Sequence, residues 1–292
     1  YNTLTYDEMS DAERAEASAH IKNFQEEQRF YAHNDDRDLD DSDSASNEPL
    51  LSAIERRFRE VLRRDRPGRL QDQIKQSAGL AVNQQVNQHI LPTVAESRRL
   101  CERREYVFFP WQYHIESRLT VFSPEFFDQT WLLEYLARAL PSSVELFVKG
   151  HPNHPGRPAP ETIHRLREDG RVTFLAHDTN AHEVIERSEG VVVVNNTVGF
   201  ETLYHGKPLF VLGSPPYTET PAAVDIKDVS KVPEALATHI GTTVPEETTI
   251  ESVHSLRAAT YPGDRASYKP DDVATLINSI EQFLSERSGR DQ

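Results

Sequence analysis

From Tyr106 onward the chain alternates short apolar runs with segments that have helical spacing. The runs are rich in β-branched and aromatic residues, and they read YVFFP (106–110), VELFVKG (144–150), RVTFLAH (171–177), GVVVV (190–194) and PLFVLG (208–213). Near-continuous apolar strands separated by helices are typical of a parallel sheet covered on both faces. The pattern therefore predicts an α/β domain with a doubly wound parallel sheet over residues 106–292.

The segments between the predicted strands have the apolar spacing of amphipathic helices. They read PEFFDQTWLLEYLARAL (124–140), ETIHRLRED (161–169), NAHEVIERS (180–188) and VGFETLYH (198–205). Asn180 and Glu183 have the spacing of a capping box at the start of one of them. A last helical pattern, from Asp271 to Ser288, predicts a C-terminal helix.

The first 105 residues lack the short apolar runs of the rest of the chain, and we divide them into two predicted regions. Residues 1–48 hold a helical pattern from Tyr6 to Ala32 and then an acidic segment, Asp35–Pro49, whose composition indicates a disordered linker. Residues 49–105 read as a helical connection rich in arginine, with Arg56, Arg57, Arg59, Arg63, Arg64, Arg66 and Arg69 close together. These arginines either meet an anionic partner such as phospholipid at the membrane face, or belong to a surface helix that pairs with the acidic arm.

Composition excludes several classes of function. The formal net charge of −15 argues against broad contact with nucleic acid. Mean hydropathy is −0.62, and no run approaches the roughly 20 apolar residues of a membrane helix. No signal-peptide pattern opens the chain, and a single cysteine excludes an internal disulfide, so we expect a cytoplasmic protein.

Two further features of the sequence bear on its origin. The chain begins at Tyr1 and not at methionine, so we expect a fragment or a processed product. Its surface is predicted to be rich in acid and poor in lysine, which favours a halophilic source; a GC-rich genome with one acidic linker explains the composition equally well.

The polar residues that follow the predicted strands are the first candidates for chemistry, because ligands of open parallel sheets bind outside the carboxyl ends of the strands. Lys149 ends one strand, and a buried cation there is costly without a partner. A nucleotide phosphate supplies that partner, and His151 beside it is placed to donate to the same phosphate. His154, His177 and Asp178 suggest a metal instead, but no metal-ligand spacing supports one, and we predict none.

The segment NNTVGFE follows the valine run and predicts an anion site. Small polar residues between a buried strand and a helix leave several backbone N–H groups unpaired, with the positive end of a helix dipole behind them. Thr197 adds a hydroxyl, although an ordinary helix cap explains this residue as well. Gly199 allows close approach of a ligand, and the Glu201 carboxylate is placed to accept two hydrogen bonds from a ribose diol.

Several ordered motifs resemble the capsule polysaccharide biosynthesis and export family, whose best understood members are Kdo transferases. The resemblance runs from about Tyr106 to Tyr217 and rests on FPWQYHIES (109–117), VKGHP (148–152), DTNAHEVI (178–185) and NTVGFETLYHGKPLFVLG (196–213). It implies a GT-B glycosyltransferase with two Rossmann-like domains, of which this chain carries the C-terminal, nucleotide-sugar-binding one. It implies no metal and no cofactor beyond the nucleotide-sugar donor, commonly a CMP-sugar, and a polysaccharide or glycolipid acceptor.

The resemblance also implies roles for individual residues. If the matching residues have the roles they have in the family, Glu201 holds the ribose of the nucleotide. The phosphate is then held by Lys149, His151, Asn196, Thr197 and Gly199. Tyr113 and Glu116 would face the cleft between the domains. His151 is the candidate for stabilising the leaving group, and Glu116 and Asp178 are the remaining candidates for a general base.

Gln112 departs from the family pattern, which usually has histidine there, and this leaves the donor sugar open. Two alternatives to a sugar transferase remain at this stage. One is a CDP-glycerol-type glycerophosphotransferase, which also uses a His-Pro loop and a small-residue phosphate turn. The other is a non-catalytic polysaccharide-binding or export component with the same fold.

Overall fold

A computed structural model describes residues 4–27, 70–112, 117–151, 154, 156–168, 170–260 and 270–290 of the protein. The predicted acidic linker and the arginine cluster at 56–69 lie outside the described residues, and so do Tyr113 and Glu116. The predictions made for those segments therefore stay predictions.

Six parallel strands form one sheet: β1 Tyr106–Pro110, β2 Glu145–Lys149, β3 Val172–Leu175, β4 Val191–Val193, β5 Leu209–Val211 and β6 Ala223–Asp225. Their order is β3-β2-β1-β4-β5-β6, and all neighbouring pairs are parallel. The predicted doubly wound α/β sheet is confirmed. The strand order reverses between β1 and β4, which is where ligands of such sheets bind.

The described helices are α1 Asp11–Glu27, α2 Leu70–Ile90, α3 Val94–Arg103, α4 Ser117–Thr120, α5 Gln129–Ala139, α6 Pro160–Arg167, α7 Ala181–Arg187, α8 Val198–Tyr204, α9 Val232–His239, α10 Glu246–Ala258 and α11 Pro270–Arg290. The four helices predicted between strands are α5 to α8, and α11 matches the predicted C-terminal helix. The sequence pattern did not predict β6, α9 or α10.

Alternate residues of each strand enter two separate apolar layers, one on each face of the sheet. Phe109 and Val148 belong to one layer, while Phe108 and Phe147 belong to the other. In the second layer the ring of Tyr106 stacks on Phe147 at 4.2 Å between ring centroids. Continuous apolar strands are required because both faces are covered by helices.

The acidic helix α1 docks on the sheet domain. Ile21 and Phe24 are buried against Tyr204 at the end of α8 and against Ile250 and Val253 of α10. The Gln25 side chain donates to the carbonyl of Tyr204 at 2.8 Å. The few apolar residues of α1 therefore form one face that closes the core beside α8.

Helix α2 holds the loop that follows β2. The Asn87 side chain donates to the carbonyl of Pro158 at 3.0 Å, and Asn83 donates to that of Gly156 at 3.4 Å. A Cβ atom on Gly156 would lie 2.3 Å from the carbonyl oxygen of Leu80, so only glycine allows this approach. The loop that carries His151 is thereby fixed against a helix.

Candidate functional site

Lys149 is the last residue of β2, in register with Pro110 of β1 and Leu175 of β3. The side chain is buried, and none of the salt bridges among the described residues includes it. Burial lowers the pKa of Lys149 to about 8, and the carboxylates of Glu201 and Asp178 partly offset that effect. At neutral pH this lysine is a buried cation with little hydration, placed at the carboxyl edge of the sheet.

Glu201 lies in the first turn of α8. Burial raises the pKa of its carboxyl to about 7, and the charge of Lys149 works in the opposite direction. Among the described residues no hydrogen-bond donor contacts this carboxylate. Glu201 and Lys149 therefore attract each other without forming a salt bridge, and a ligand with both phosphate and hydroxyl groups would satisfy both.

His151 lies two residues beyond Lys149, with its ring 5.5 Å from that of His154 between centroids. The side chain is exposed, yet enough protein surrounds it that loss of hydration lowers the pKa of the imidazole, and Lys149 lowers it further. At neutral pH the ring is mostly neutral. The ring can donate or accept a proton at the carboxyl edge of the sheet.

The loops after β2 and β3 are packed together. A Cβ atom on Gly150 would lie 2.3 Å from the ring of His177, so the imidazole occupies the space that a side chain would need. Asp178 follows His177, is exposed, and acts electrostatically on Lys149. The loop after β3 therefore brings a carboxylate near the buried lysine.

Asn195 joins the loops that follow three strands. Its side-chain oxygen accepts from the Ser214 amide at 3.0 Å, and its side-chain nitrogen donates to the Ser123 hydroxyl at 2.7 Å. Its backbone N–H donates to the Gln112 side chain at 3.2 Å. Gln129 in turn holds the backbone of Gln112 with bonds of 2.8 and 2.7 Å. We call these contacts the Asn195 clamp.

The strand-end spacing of the sequence did not predict the Asn195 clamp. Gln112 was noted only as a departure from a family pattern, and in the structure it is buried and bonded to the turn after β4. The signal for this role is a polar side chain two positions after the end of an apolar strand, Gln112 after β1 and Asn195 after β4.

The turn of residues 195–198 leaves backbone donors open, as predicted. Among the described residues, the amides of Asn196, Thr197 and Val198 donate no hydrogen bond to a backbone carbonyl. The Thr197 side chain does not cap α8, so the alternative reading of this residue as an ordinary cap is not supported. The Asn196 side chain donates to the carbonyl of Pro110 at 3.0 Å, which ties the turn to β1.

Gly199 is required for a reason that the sequence did not suggest. A Cβ atom there would lie 2.2 Å from Cζ of Tyr217, a fully buried ring whose hydroxyl donates to the Asn196 carbonyl at 2.7 Å. Glycine at this position makes room for the tyrosine and so supports the turn from behind. Contact between Gly199 and a ligand stays a prediction.

The capping box predicted at the start of α7 is half correct. Asn180 accepts from the His182 amide at 2.9 Å, as an N-cap does. Glu183 does not complete the box, because its carboxylate takes two bonds from Arg98 of α3, at 2.7 and 3.0 Å. The guanidinium of Arg98, which is distant in sequence, thus takes the place of the Asn180 backbone amide as the partner of Glu183.

Within the described part of the chain, no group of three or more histidine, cysteine, aspartate or glutamate side chains is arranged to hold a metal ion. No helix in the described ranges combines the length and the apolar character needed to cross a bilayer.

The sheet order and the residues at its carboxyl edge define an α/β protein of the Rossmann-like class, with a candidate ligand site formed by the loops after β1 to β4. Residues 53–221, more than half of the chain, match the family model described as "Capsule polysaccharide biosynthesis protein". The chain therefore belongs to the capsule polysaccharide biosynthesis family, as its motifs indicated.

Individual relatives match more loosely. The capsule polysaccharide export protein KpsS of Escherichia coli is 31% identical over 85 residues, a segment that spans 28% of this chain and 22% of KpsS. The β-Kdo 2,7 transferase KpsC of Thermosulfurimonas dismutans aligns at 18% identity over 73% of this chain and 68% of its own, with a TM-score of 0.36. HepE from Anabaena, in a complex with UDP and glucose, aligns at 16% identity over 67% and 53%, with a TM-score of 0.38.

Proposed function

We propose that the chain is the donor-binding part of a GT-B glycosyltransferase that transfers a sugar from a nucleotide, a CMP-sugar in the first instance, to a capsular glycan or glycolipid. The single observation that carries the proposal is that Lys149, buried at the end of β2, and Glu201, in the first turn of α8, act on each other electrostatically without forming a salt bridge. Membership of the capsule polysaccharide biosynthesis family supports the same function.

The phosphate of the donor would bind between Lys149 and the 195–198 turn. The lysine supplies positive charge in a site with little water, where electrostatic attraction is strong. The amides of Asn196 and Thr197 supply two uncharged donors whose hydrogen bonds are not used within the described protein. As the bond to the sugar breaks, charge grows on the phosphate, and these groups stabilise it in place.

Glu201 would bind the ribose. A carboxylate accepts two hydrogen bonds from a vicinal diol, and the raised pKa keeps this group from repelling the phosphate strongly at neutral pH. His151, mostly neutral and at the carboxyl edge of the sheet, would donate to the leaving phosphate oxygen. In this assignment Lys149 and His151 do the electrostatic work that a metal ion does in other transferases, so the reaction needs no metal.

Two carboxylates are candidates for the general base that would activate the acceptor hydroxyl. Asp178 is exposed near Lys149 and is available as a base, and Glu116 lies outside the described residues. We propose that a second Rossmann-like domain supplies the rest of the acceptor site, and that the arginine-rich stretch at 56–69 contacts the cytoplasmic face of the membrane, where nucleotide sugars are available.

Calorimetric titration with CMP, UDP and CDP-glycerol tests the proposal. We expect one of them to bind, Glu201→Gln to weaken binding about tenfold through loss of the diol contacts, and Lys149→Met to abolish it. Lys231→Met is the matched control, because the Lys231 side chain is 66% exposed and lies 3.6 Å from the carboxylate of Glu234, far along the chain from the proposed donor site.

The choice of ligand separates the alternatives left open by the sequence. Tighter binding of CDP-glycerol than of CMP would indicate that the same site takes a glycerophosphate donor and that the chain belongs to a glycerophosphotransferase, not to a sugar transferase. Failure of all three nucleotides to bind would overturn the proposal and favour a non-catalytic polysaccharide-binding component.

A further inference from the structure

A cavity lies between α3 and α7, and the function proposed above does not use it. Its volume is about 210 Å³, and its lining includes Arg98, Cys101, Glu102, Thr179, Glu183 and Arg187. None of these residues belongs to the Lys149–Glu201 site. We call it the α3–α7 cavity.

Thr179 supplies a buried hydroxyl to this lining. The residue is 2% exposed, and no group among the described residues is within hydrogen-bond distance of its Oγ1 atom. Ser188 and Thr220 show the usual arrangement of a buried hydroxyl: Ser188 donates to the Ile185 carbonyl and Thr220 donates to the Tyr217 carbonyl, each at 2.8 Å. Among the described residues the hydroxyls of Ser255 and Thr218 share the unbonded state of Thr179, but neither lines this cavity. A hydroxyl that is both buried and unbonded is unusual in a folded protein and indicates a missing partner.

The charged groups of the cavity balance each other. Arg98 is fully engaged by Glu183 through two short bonds, of 2.7 and 3.0 Å. Arg187 and Glu102 approach only to 3.8 Å, which is too long for a hydrogen bond. A ligand hydroxyl placed between these two would accept from the guanidinium and donate to the carboxylate. An anion gains little here, because the two positive and two negative side chains sum to zero.

We propose that the α3–α7 cavity binds a neutral, hydroxyl-rich molecule of the size of a monosaccharide. The partners it offers are a threonine hydroxyl, a guanidinium with free donors and a carboxylate with free acceptors, which together match the alternating donors and acceptors of a polyol. The volume is below the range of roughly 300–1,000 Å³ that drug-sized ligands occupy, which limits the ligand to about one sugar ring.

Cys101 makes the proposal testable, because it is the only cysteine in the sequence and lies in the cavity lining. The probes are D-glucose, D-galactose and glycerol at millimolar concentration, with inorganic phosphate as the anionic comparison. Binding is measured by saturation-transfer NMR on the full chain and, independently, by the rate at which iodoacetamide labels Cys101. We expect at least one of the three polyols to bind and to slow labelling severalfold, and phosphate to do neither.

Variants locate the binding. Thr179→Val removes the hydroxyl at nearly constant volume and should weaken polyol binding about tenfold, whereas Thr179→Ser keeps the hydroxyl and should retain it. Arg187→Gln provides a second loss-of-binding variant if Thr179→Val folds poorly. Glu201→Gln should leave polyol binding unchanged, which separates this cavity from the proposed donor site.

Three results would overturn the proposal. Failure of every polyol to bind would refute the ligand class, and so would protection of Cys101 by phosphate alone. Loss of polyol binding in Glu201→Gln, with binding intact in Thr179→Val, would place the sugar in the donor site and leave the α3–α7 cavity without a ligand. Each result is independent of whether a nucleotide binds at Lys149.

Discussion

Lys149 combines two properties that a purely structural residue would not have. It is 9% exposed at the end of a central strand, and its pKa is lowered because the buried ammonium is poorly hydrated. A buried cation destabilises a fold unless a partner compensates for its lost hydration. The cost is acceptable if the partner is a ligand that is present when the protein works.

Replacing Lys149 with methionine should therefore stabilise the free protein while abolishing nucleotide binding. Methionine has a similar length and no charge, so we expect a gain on the order of 1–2 kcal/mol in the free energy of unfolding. Thermal and urea unfolding measure the gain. A loss of stability in Lys149→Met would mean that the lysine holds the fold together, which contradicts its assignment as a phosphate ligand.

The charge of the proposed donor site should change with pH in the neutral range. At pH 7 Lys149 is mostly charged and Glu201 is about half protonated, so the pair is positive on balance. At pH 9 the lysine is mostly neutral and the glutamate is ionised, so the pair is negative. We expect nucleotide affinity to fall about tenfold or more between pH 7 and pH 9, over which the phosphate itself titrates little.

Titration calorimetry across this range checks the sign, with Lys149→Arg as the control. Arginine stays charged, so the remaining pH dependence in that variant comes from Glu201 and is confined to the lower part of the range. Affinity that rises with pH would show that neither group faces the phosphate.

Gly199 gives a residue-scale test of packing. Gly199→Ala would force a methyl group into the Tyr217 ring, and we expect a loss of about 1–3 kcal/mol in stability. Gly79 of α2 is the matched control, since a Cβ atom there meets nothing within 4 Å. Gly79→Ala should stabilise the helix by about 0.5–1 kcal/mol. Equal effects of the two substitutions would contradict the packing role of Gly199.

At the scale of elements, α1 and α8 are joined through aromatic rings. Phe24 of α1 lies 4.3 Å from Tyr204 between ring centroids, and 5.4 Å from His182. Nδ1 of His182 and Nε2 of His205 are 3.1 Å apart, which requires one ring to donate and the other to accept. That contact exists only while at least one of the two imidazoles is neutral.

Acid should loosen α1. Burial, with help from His182 and Lys207, lowers the pKa of His205 to about 4, and burial also lowers the pKa of His20 on α1, to which Arg257 contributes. A histidine whose pKa is lower in the folded state contributes stability above its unfolded value of about 6.5, and that contribution is lost as pH falls toward the folded value. Hydrogen exchange of residues 11–27, corrected for intrinsic rates, should speed up between pH 6.5 and pH 4.5.

The variant His205→Asn should reduce this pH dependence, whereas His164→Asn should not, because the His164 side chain is 82% exposed. Exchange in α1 that is insensitive to pH, or equally sensitive in both variants, would show that the imidazole pair does not control docking.

Elements also show where sequence patterns succeed and fail. Val191–Val193 is an uninterrupted apolar run, and such a run has no stable place except a buried strand, so β4 was predictable. Ala223–Asp225 is an edge strand of three residues, none of them buried, and it has no pattern to detect. Helix α1 has only a few apolar residues, and their shared face becomes evident only when α8 and α10 are placed against it.

In the candidate site, too, some features could be predicted from the sequence and others could not. The positions of Lys149 and Glu201 were predictable, because Lys149 ends one apolar strand and Glu201 lies in the first turn of the helix that follows another, and parallel strands place such residues at one edge. The Asn195 clamp was not, because its partners come from loops up to 83 positions away along the chain and leave no spacing rule. The packing role of Gly199 was not predictable for the same reason, since the ring that requires glycine belongs to a later loop.

At the scale of the molecule, the N-terminal helix is part of the core of the sheet domain. Glu16 pairs with Arg257 at 2.8 Å, and the Tyr6 amide donates to Glu251 at 3.3 Å. Both contacts join α1 and the turn before it to α10. The helix therefore covers apolar surface that the rest of the domain cannot bury by itself.

A variant that lacks residues 1–27 should be less stable by roughly 2–5 kcal/mol, because Tyr204, Ile250 and Val253 lose their apolar partners. We expect a lower midpoint in urea and more binding of a hydrophobic dye. Phe24→Ala in the full chain should reproduce part of the loss. A shortened protein as stable as the full chain would show that α1 rests on the surface without burying it.

The partnership of α1 with α10 also constrains biosynthesis. The Tyr6–Glu251 bond closes a loop of 245 positions, so the two ends of this contact leave the ribosome far apart in time. At about 5–20 residues per second, α1 waits roughly 12–50 s for its partner to emerge. During that interval the side chains of Ile21 and Phe24 are exposed to water. A nascent chain that pauses before α10 therefore presents an apolar helix face, to which chaperones or neighbouring chains can bind.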